Sequence, residues 1–172
     1  MRNTTWKTAI ALLETCISVA TVAAFGVLIV AVTIQVLGRS VLLDSPVWTE
    51  ELTRFALLYL AAFGVGLSFK SGDLVNVDIV SESLPGRWPW LLRLLSAAAT
   101  ATLSAVLIPP AWKYTAIGAM QTSPALGWRM DFIHASVLVM LISLFLFSSL
   151  RCLGMLIGES DGQPAGARDG AS

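Results

Sequence analysis

The chain is written as long apolar stretches broken by short polar interruptions, and the spacing of its charges marks out the elements. No charged residue occurs between Glu14 and Arg39. A helix there, at about 1.5 Å per residue, reaches roughly 36 Å, enough to cross a hydrocarbon layer about 30 Å thick with some tilt. Residues 94–112 and 132–150 are two further uncharged runs, the second holding His134 as its one titratable group, and each comes close to the roughly 20 residues a crossing requires. The uncharged run over 55–69 is too short to cross unaided, so its helix must start earlier. Ser45 followed by Pro46 supplies an N-cap with proline at the first helical position. That start places Trp48, Glu50, Glu51 and Arg54 in the opening turns, at or just inside the membrane interface.

The pattern predicts an all-α membrane protein of four transmembrane helices over 15–38, 46–69, 91–112 and 131–152. They are joined by a cytoplasmic or interfacial loop over 70–90 and an opposite loop over 113–130, with flanking segments 1–14 and 153–172. Asp78 and Glu82 interrupt 74–84, so that stretch reads as a short interfacial segment. Val77, Val80 and Leu84 fit a helical face there, although VNVDI alternates well enough for a strand. Trp88 and Trp90 follow and suit the headgroup region. Pro109 and Pro110 lack backbone donors and should kink or end the third helix. Ala97, Ala101 and Ala105, like Ala62 and Gly66, recur every four residues, the spacing that lets membrane helices approach closely. The tail GESDGQPAGARDGAS has the composition of a disordered segment. Arg2 and Lys7 precede the first span as in a signal peptide, but the apolar run is longer than a signal's and no A-x-A site closes it, so an uncleaved anchor is expected.

Composition narrows the function. Charged residues make up 13% of the chain, against about a quarter in a soluble domain, so water is not its main solvent. A net charge of zero gives no basic surface for nucleic acid. Cys16 and Cys152 form no metal or disulfide spacing and read as small apolar fillers. With one histidine, His134 cannot share a haem with a second, and a structural hydrogen bond is its expected role. Glu14 borders the first run and reads as interfacial. No catalytic triad, phosphate loop or paired-carboxylate site can be assembled, so no enzyme, cofactor or metal is expected. Arg2, Lys7, Lys70, Arg87, Arg93, Arg151 and Arg168 fall on one face against Arg39, Arg54, Lys113 and Arg129 on the other. By the positive-inside rule both termini are cytoplasmic.

The chemistry-bearing residues gather near the second helix. Arg54 stands i+4 from Glu50 and i+3 from Glu51, so it can reach either carboxylate along one face. One acid is then in excess, and Arg39 on the same side is its candidate partner. Ions at membrane depth turn toward protein or water, which makes assembly or packing the expected role. Gly72 permits a helix C-cap after Lys70, Asp78 is a surface acid or subunit contact, and QTSPALGW, with Ser123 and Pro124, is an uncharged turn suited to touching a partner.

Taken together, QVLGRSVLLDSPVWTEELTRFALLYLAAFGVGLSFKSGDLVNVD resembles the small membrane subunit of tripartite ATP-independent periplasmic (TRAP) transporters. The likeness is carried in order by Arg39, Trp48, Thr49, Glu50, Glu51 and Arg54, by Gly64, Gly66, Lys70, Gly72 and Asp78, and by the later SPALGW. It departs at Asp73, where the family commonly has histidine, and at Arg129, where proline often follows the tryptophan. The resemblance implies a multi-pass protein of the bacterial inner membrane whose partners are a large membrane subunit, a periplasmic solute-binding protein and membrane lipid. It implies uptake of an organic acid driven by an ion gradient, with this chain as a scaffold for the large subunit. The alternatives from the residues alone are a stand-alone small exporter, which needs a mid-membrane acid, and a membrane anchor for an oxidoreductase, which needs haem or quinone ligands.

Overall fold

The computed structural model describes residues 2–42, 46–71 and 86–158. Four long α-helices dominate: α1 (Arg2–Leu37), α2 (Val47–Ser71), α3 (Trp88–Gly118) and α4 (Asp131–Ile157), with a π-helical turn over Gly38–Leu42 closing α1. Each is long and apolar enough to cross a membrane. A helix satisfies its own backbone polar groups, which hydrocarbon cannot do, so this is the form expected of such segments. The hydroxyls follow the same rule. Thr21, Thr33, Thr53, Thr100, Thr102 and Thr115 each donate to the carbonyl four residues earlier on their own helix, at 2.7–2.9 Å. Among the described residues no strand forms, and Thr122 and Arg129 make one isolated antiparallel bridge.

The helix ends have local causes. Pro46 precedes α2, and its carbonyl accepts from both the Thr49 amide at 3.0 Å and the Thr49 hydroxyl at 2.7 Å. Ser45 lies outside the described residues. Asp131 opens α4 with its carboxylate on the Phe132 amide at 3.0 Å, an anion at the positive end of the helix dipole. α4 runs on to Ile157, where Gly158, at φ 77°, supplies the left-handed residue that ends it. α1 is already helical from Arg2. The prolines do not end α3, which continues through Pro109 and Pro110 to Gly118; membrane helices tolerate such residues because neighbouring groups take up the freed carbonyls.

The buried apolar side chains are small on α1, α2 and α3, where Ala31, Ala56, Ala62, Ala97 and Ala111 are covered, and larger on α4, where Ile133, Leu138, Leu141, Phe147 and Met155 are. On α3 the buried positions are Arg93, Ala97, Ser104, Ala111 and Gly118, whereas Ala101 is half-buried and Ala105 exposed. The seven-residue spacing prevails over the four-residue one because a step of four drifts about 40° around the helix and a step of seven about 20° in the other direction. Arg93, counted from the sequence with the cations of the cytoplasmic side, is 5% exposed. α4 buries the largest share of its span, 39%, and α1 the smallest, 6%.

By its internal packing the chain divides into two compact units. Residues 1–64 and 111–139 form the first, which holds α1, the π-helical turn, the opening of α2, and the loop from α3 into α4. In the second, residues 65–110 and 140–172, Gly66 packs against α4: a β-carbon there would lie 2.8 Å from the Ser143 β-carbon and 2.9 Å from Phe147.

Candidate functional site

The opening turns of α2 lie against the loop that joins α3 to α4. That loop is folded on itself. The Ser123 amide donates to the Trp128 carbonyl at 2.7 Å, the Gly127 amide to the Ser123 carbonyl at 3.0 Å, and the Met130 amide to the Gln121 carbonyl at 2.9 Å. Gly127 sits at φ 66°, a left-handed conformation that glycine adopts without a steric penalty. Pro124 fills a turn position where no donor is required, and the two amides after it, on Ala125 and Leu126, turn toward α2.

Glu51 occupies that concavity. One of its carboxylate oxygens, Oε2, accepts from the Ser123 hydroxyl and from the Ala125 and Leu126 amides at 3.2 and 3.1 Å. Successive backbone N–H groups facing one point form an anion-binding nest, and here the anion belongs to the same chain. Thr49, fully buried two residues earlier, fixes the helix start beneath it. Tyr59, two turns further along α2, donates its hydroxyl to the Phe132 carbonyl in the first turn of α4. α2 is thus tied to the loop at one level and to α4 about 12 Å further down.

The second acid takes a different partner. Glu50 Oε1 accepts from Arg39 at 2.7 Å, both side chains being well exposed. The wider π-helical turn brings Arg39 beside the first turn of α2, with the Ser40 hydroxyl bound to the Val36 carbonyl at 2.9 Å. Arg39 therefore pairs with Glu50, as the charge excess suggested, but Arg54 does not take the other acid: it is exposed, and among the described residues no ion pair within 4 Å includes it. Helical spacing permits the Arg54 pairings; the loop's three donors hold the Glu51 oxygen instead.

Of the residues singled out from the sequence, the structure brings Glu51, Ser123 and Pro124 to one site and Arg39 and Glu50 to an adjoining one. Trp48 is 38% exposed beside them. Gly72 and Asp78 lie outside the described residues. The Ala125 and Leu126 amides leave no mark in the sequence, because backbone donors carry no residue signature. His134 makes the structural bond anticipated for it: Nδ1 lies 3.2 Å from the Tyr114 carbonyl and the imidazole stacks on the Tyr114 ring, with centroids 4.0 Å apart. Gly118 makes room for it, since a β-carbon there would stand 2.5 Å from Nδ1. Cys16 and Cys152 are free thiols, and among the described residues no three metal-ligating side chains cluster.

Beside the loop, Tyr59, Trp128, Arg129 and Phe132 line an open, mainly apolar hollow of about 540 Å3. Arg129 stands at its polar edge, bound to Asp131 at 2.6 Å.

Comparison with known proteins gives these contacts a family setting. A family model described as tripartite ATP-independent periplasmic transporters, DctQ component, matches residues 28–158, which contain both acids, their partners and the loop. The chain is 29% identical over 89 residues to the sialic acid TRAP transporter small permease protein SiaQ of Vibrio cholerae, covering 51% of each chain. It is 31% identical over 85 residues to the isethionate TRAP transporter permease protein DctMQ of Oleidesulfovibrio alaskensis, covering 46% of this chain and 13% of that one. The chain thus aligns with about half the length of the first relative and a small part of the second.

Proposed function

Because the chain belongs to the DctQ-component family of tripartite ATP-independent periplasmic transporters, a family of multi-pass inner-membrane permease subunits, we propose that it is the scaffold of such a transporter. In this reading it pairs with a large membrane subunit that carries the solute, and a periplasmic binding protein delivers an organic acid whose uptake is driven by an ion gradient. Both relatives are named for organic acids, and the one that carries the name DctMQ is far longer than this chain, which favours a large membrane partner.

The observation that carries the scaffold role is the use of polar groups inside the first unit. Glu51 is spent on the α3–α4 loop, Tyr59 on α4 and His134 on α3. These contacts cross-link helices into a fixed surface, and a moving transport element needs a fixed one to work against. The helix hydroxyls are turned back onto their own carbonyls rather than aligned along a path. Glu51, Ser123 and Pro124 shape the periplasmic end of this surface, with both termini cytoplasmic, and Arg39, Trp48, Glu50 and Arg54 form its outward edge toward the partner.

Reconstitution in vesicles tests this reading. The chain alone should move no organic anion under a sodium or proton gradient, and uptake should require the large subunit and the binding protein. Uptake by the chain alone would overturn it.

A further inference from the structure

We propose that the hollow lined by Tyr59, Trp128, Arg129 and Phe132 is a phospholipid site, with one acyl chain in the hollow and the lipid phosphate on Arg129. The inference rests on the four membrane spans and stands whether or not the scaffold role holds.

Depth is the first argument. The uncharged run of α4 begins at Phe132, directly after the Arg129–Asp131 ion pair, and the Tyr59 hydroxyl fixes α2 to the Phe132 carbonyl at the same level. Charged residues end where hydrocarbon begins, so the hollow opens at the boundary between headgroups and chains. Its aromatic members match that place, since tryptophan and tyrosine concentrate at membrane interfaces with the apolar ring inward and the polar edge outward. Trp128 and Phe132 are 52% and 63% exposed, so the hollow faces the surroundings of the chain.

Shape and charge supply the second argument. The volume, about 540 Å3, lies in the range of small-molecule sites, roughly 300–1,000 Å3. Its apolar walls offer nothing to a solvated ion and suit a hydrocarbon chain. At the edge, Arg129 gives one nitrogen to Asp131 and its side chain remains 60% exposed. A guanidinium carries five N–H donors in a planar fork, so others stay available for a phosphate. Cation above and hydrocarbon below is the order in which a phospholipid presents its own groups.

The purified full chain is titrated with dioleoyl phosphatidylglycerol in detergent, and retained lipid is counted by native mass spectrometry. One molecule should be held more tightly than the rest, and Arg129→Gln and Phe132→Ala should each weaken its retention about fivefold, the order expected of one basic group at an anionic surface or of a lost aromatic wall. Diacylglycerol, which lacks the phosphate, should be held no better by the wild type than phosphatidylglycerol is by Arg129→Gln. Inorganic phosphate, which lacks the chains, should not displace the lipid. Trp128 fluorescence, isolated as the difference from Trp128→Phe, should be quenched by lipid brominated on its chains. Unchanged retention in both variants overturns the proposal. So does displacement by phosphate alone, which would reduce the site to an ion contact. If the variants keep their lipid and instead lose copurification with the large subunit, the hollow receives protein and the proposal falls.

Discussion

Two glycines two residues apart on α2, and so on different faces of the helix, separate packing from helix propensity. At Gly64 an added β-carbon meets nothing within 4 Å, whereas at Gly66 it would lie 2.8 Å from the Ser143 β-carbon and 2.9 and 3.1 Å from two atoms of the Phe147 ring. Ser143 is 6% exposed and Phe147 2% exposed. A β-carbon cannot rotate out of the way, so Gly66→Ala must push the two helix backbones apart. Both alanine variants gain the same propensity, up to about 1 kcal/mol. Their difference therefore isolates the overpacking cost, about 1–3 kcal/mol, and should lower the apparent Tm of Gly66→Ala by several degrees relative to Gly64→Ala. Heating each detergent-purified variant and following the folded fraction by size-exclusion chromatography gives both values. Adding Ser143→Gly to Gly66→Ala removes the nearest atom and should recover part of the loss. Equal stability of the two alanine variants would refute the close approach of α2 and α4 and the reasoning drawn from it.

Other expectations concern the first unit. Glu51→Ala should loosen the 121–130 loop, seen as faster amide exchange at Ala125 and Leu126, while Glu51→Gln, which keeps an acceptor oxygen, should fall between wild type and alanine; wild-type exchange in Glu51→Ala would remove the nest. Arg39→Gln or Glu50→Gln should change stability by at most about 1 kcal/mol, because exposed ion pairs contribute little, yet should weaken copurification with the large subunit if that edge is the interface. His134→Ala should destabilise by about 1–2 kcal/mol through the lost Tyr114 bond and ring stacking, measured by the same thermal assay; a neutral result would mean that the α3–α4 contact does not depend on the imidazole.

Helices in a membrane face a particular constraint. Lipid chains are as apolar as leucine, so apolar burial alone gives helices little reason to associate. The chain answers with small residues at buried positions, Ala62 and Ala97 each 1% exposed, and with a few polar ties in the first unit. Leucine, valine and isoleucine are left largely on the outside, as Val22, Leu95 and Leu103 illustrate.

The amino-acid order determines three of the four spans by itself, because the cost of placing charge in hydrocarbon is large and independent of fold: 15–38, 94–112 and 132–150 are legible wherever they sit. It also determines the charged opening of α2 and the turn chemistry of SPALGW, since proline and glycine act locally. It does not decide which partner each charge takes. Arg54 is as well spaced for Glu51 as any helical pair, and only folding the α3–α4 loop against α2 puts Ser123 and two amides closer to that carboxylate. Nor does it decide which alanines are buried: the four-residue stripe on α3 is real in sequence, but the buried positions follow the seven-residue one, so Ser104 is covered and Ala105 is not. Propensity and hydropathy sum over neighbours in the chain, whereas ion pairing and close packing are settled between segments tens of residues apart, and those distances exist only in the folded molecule.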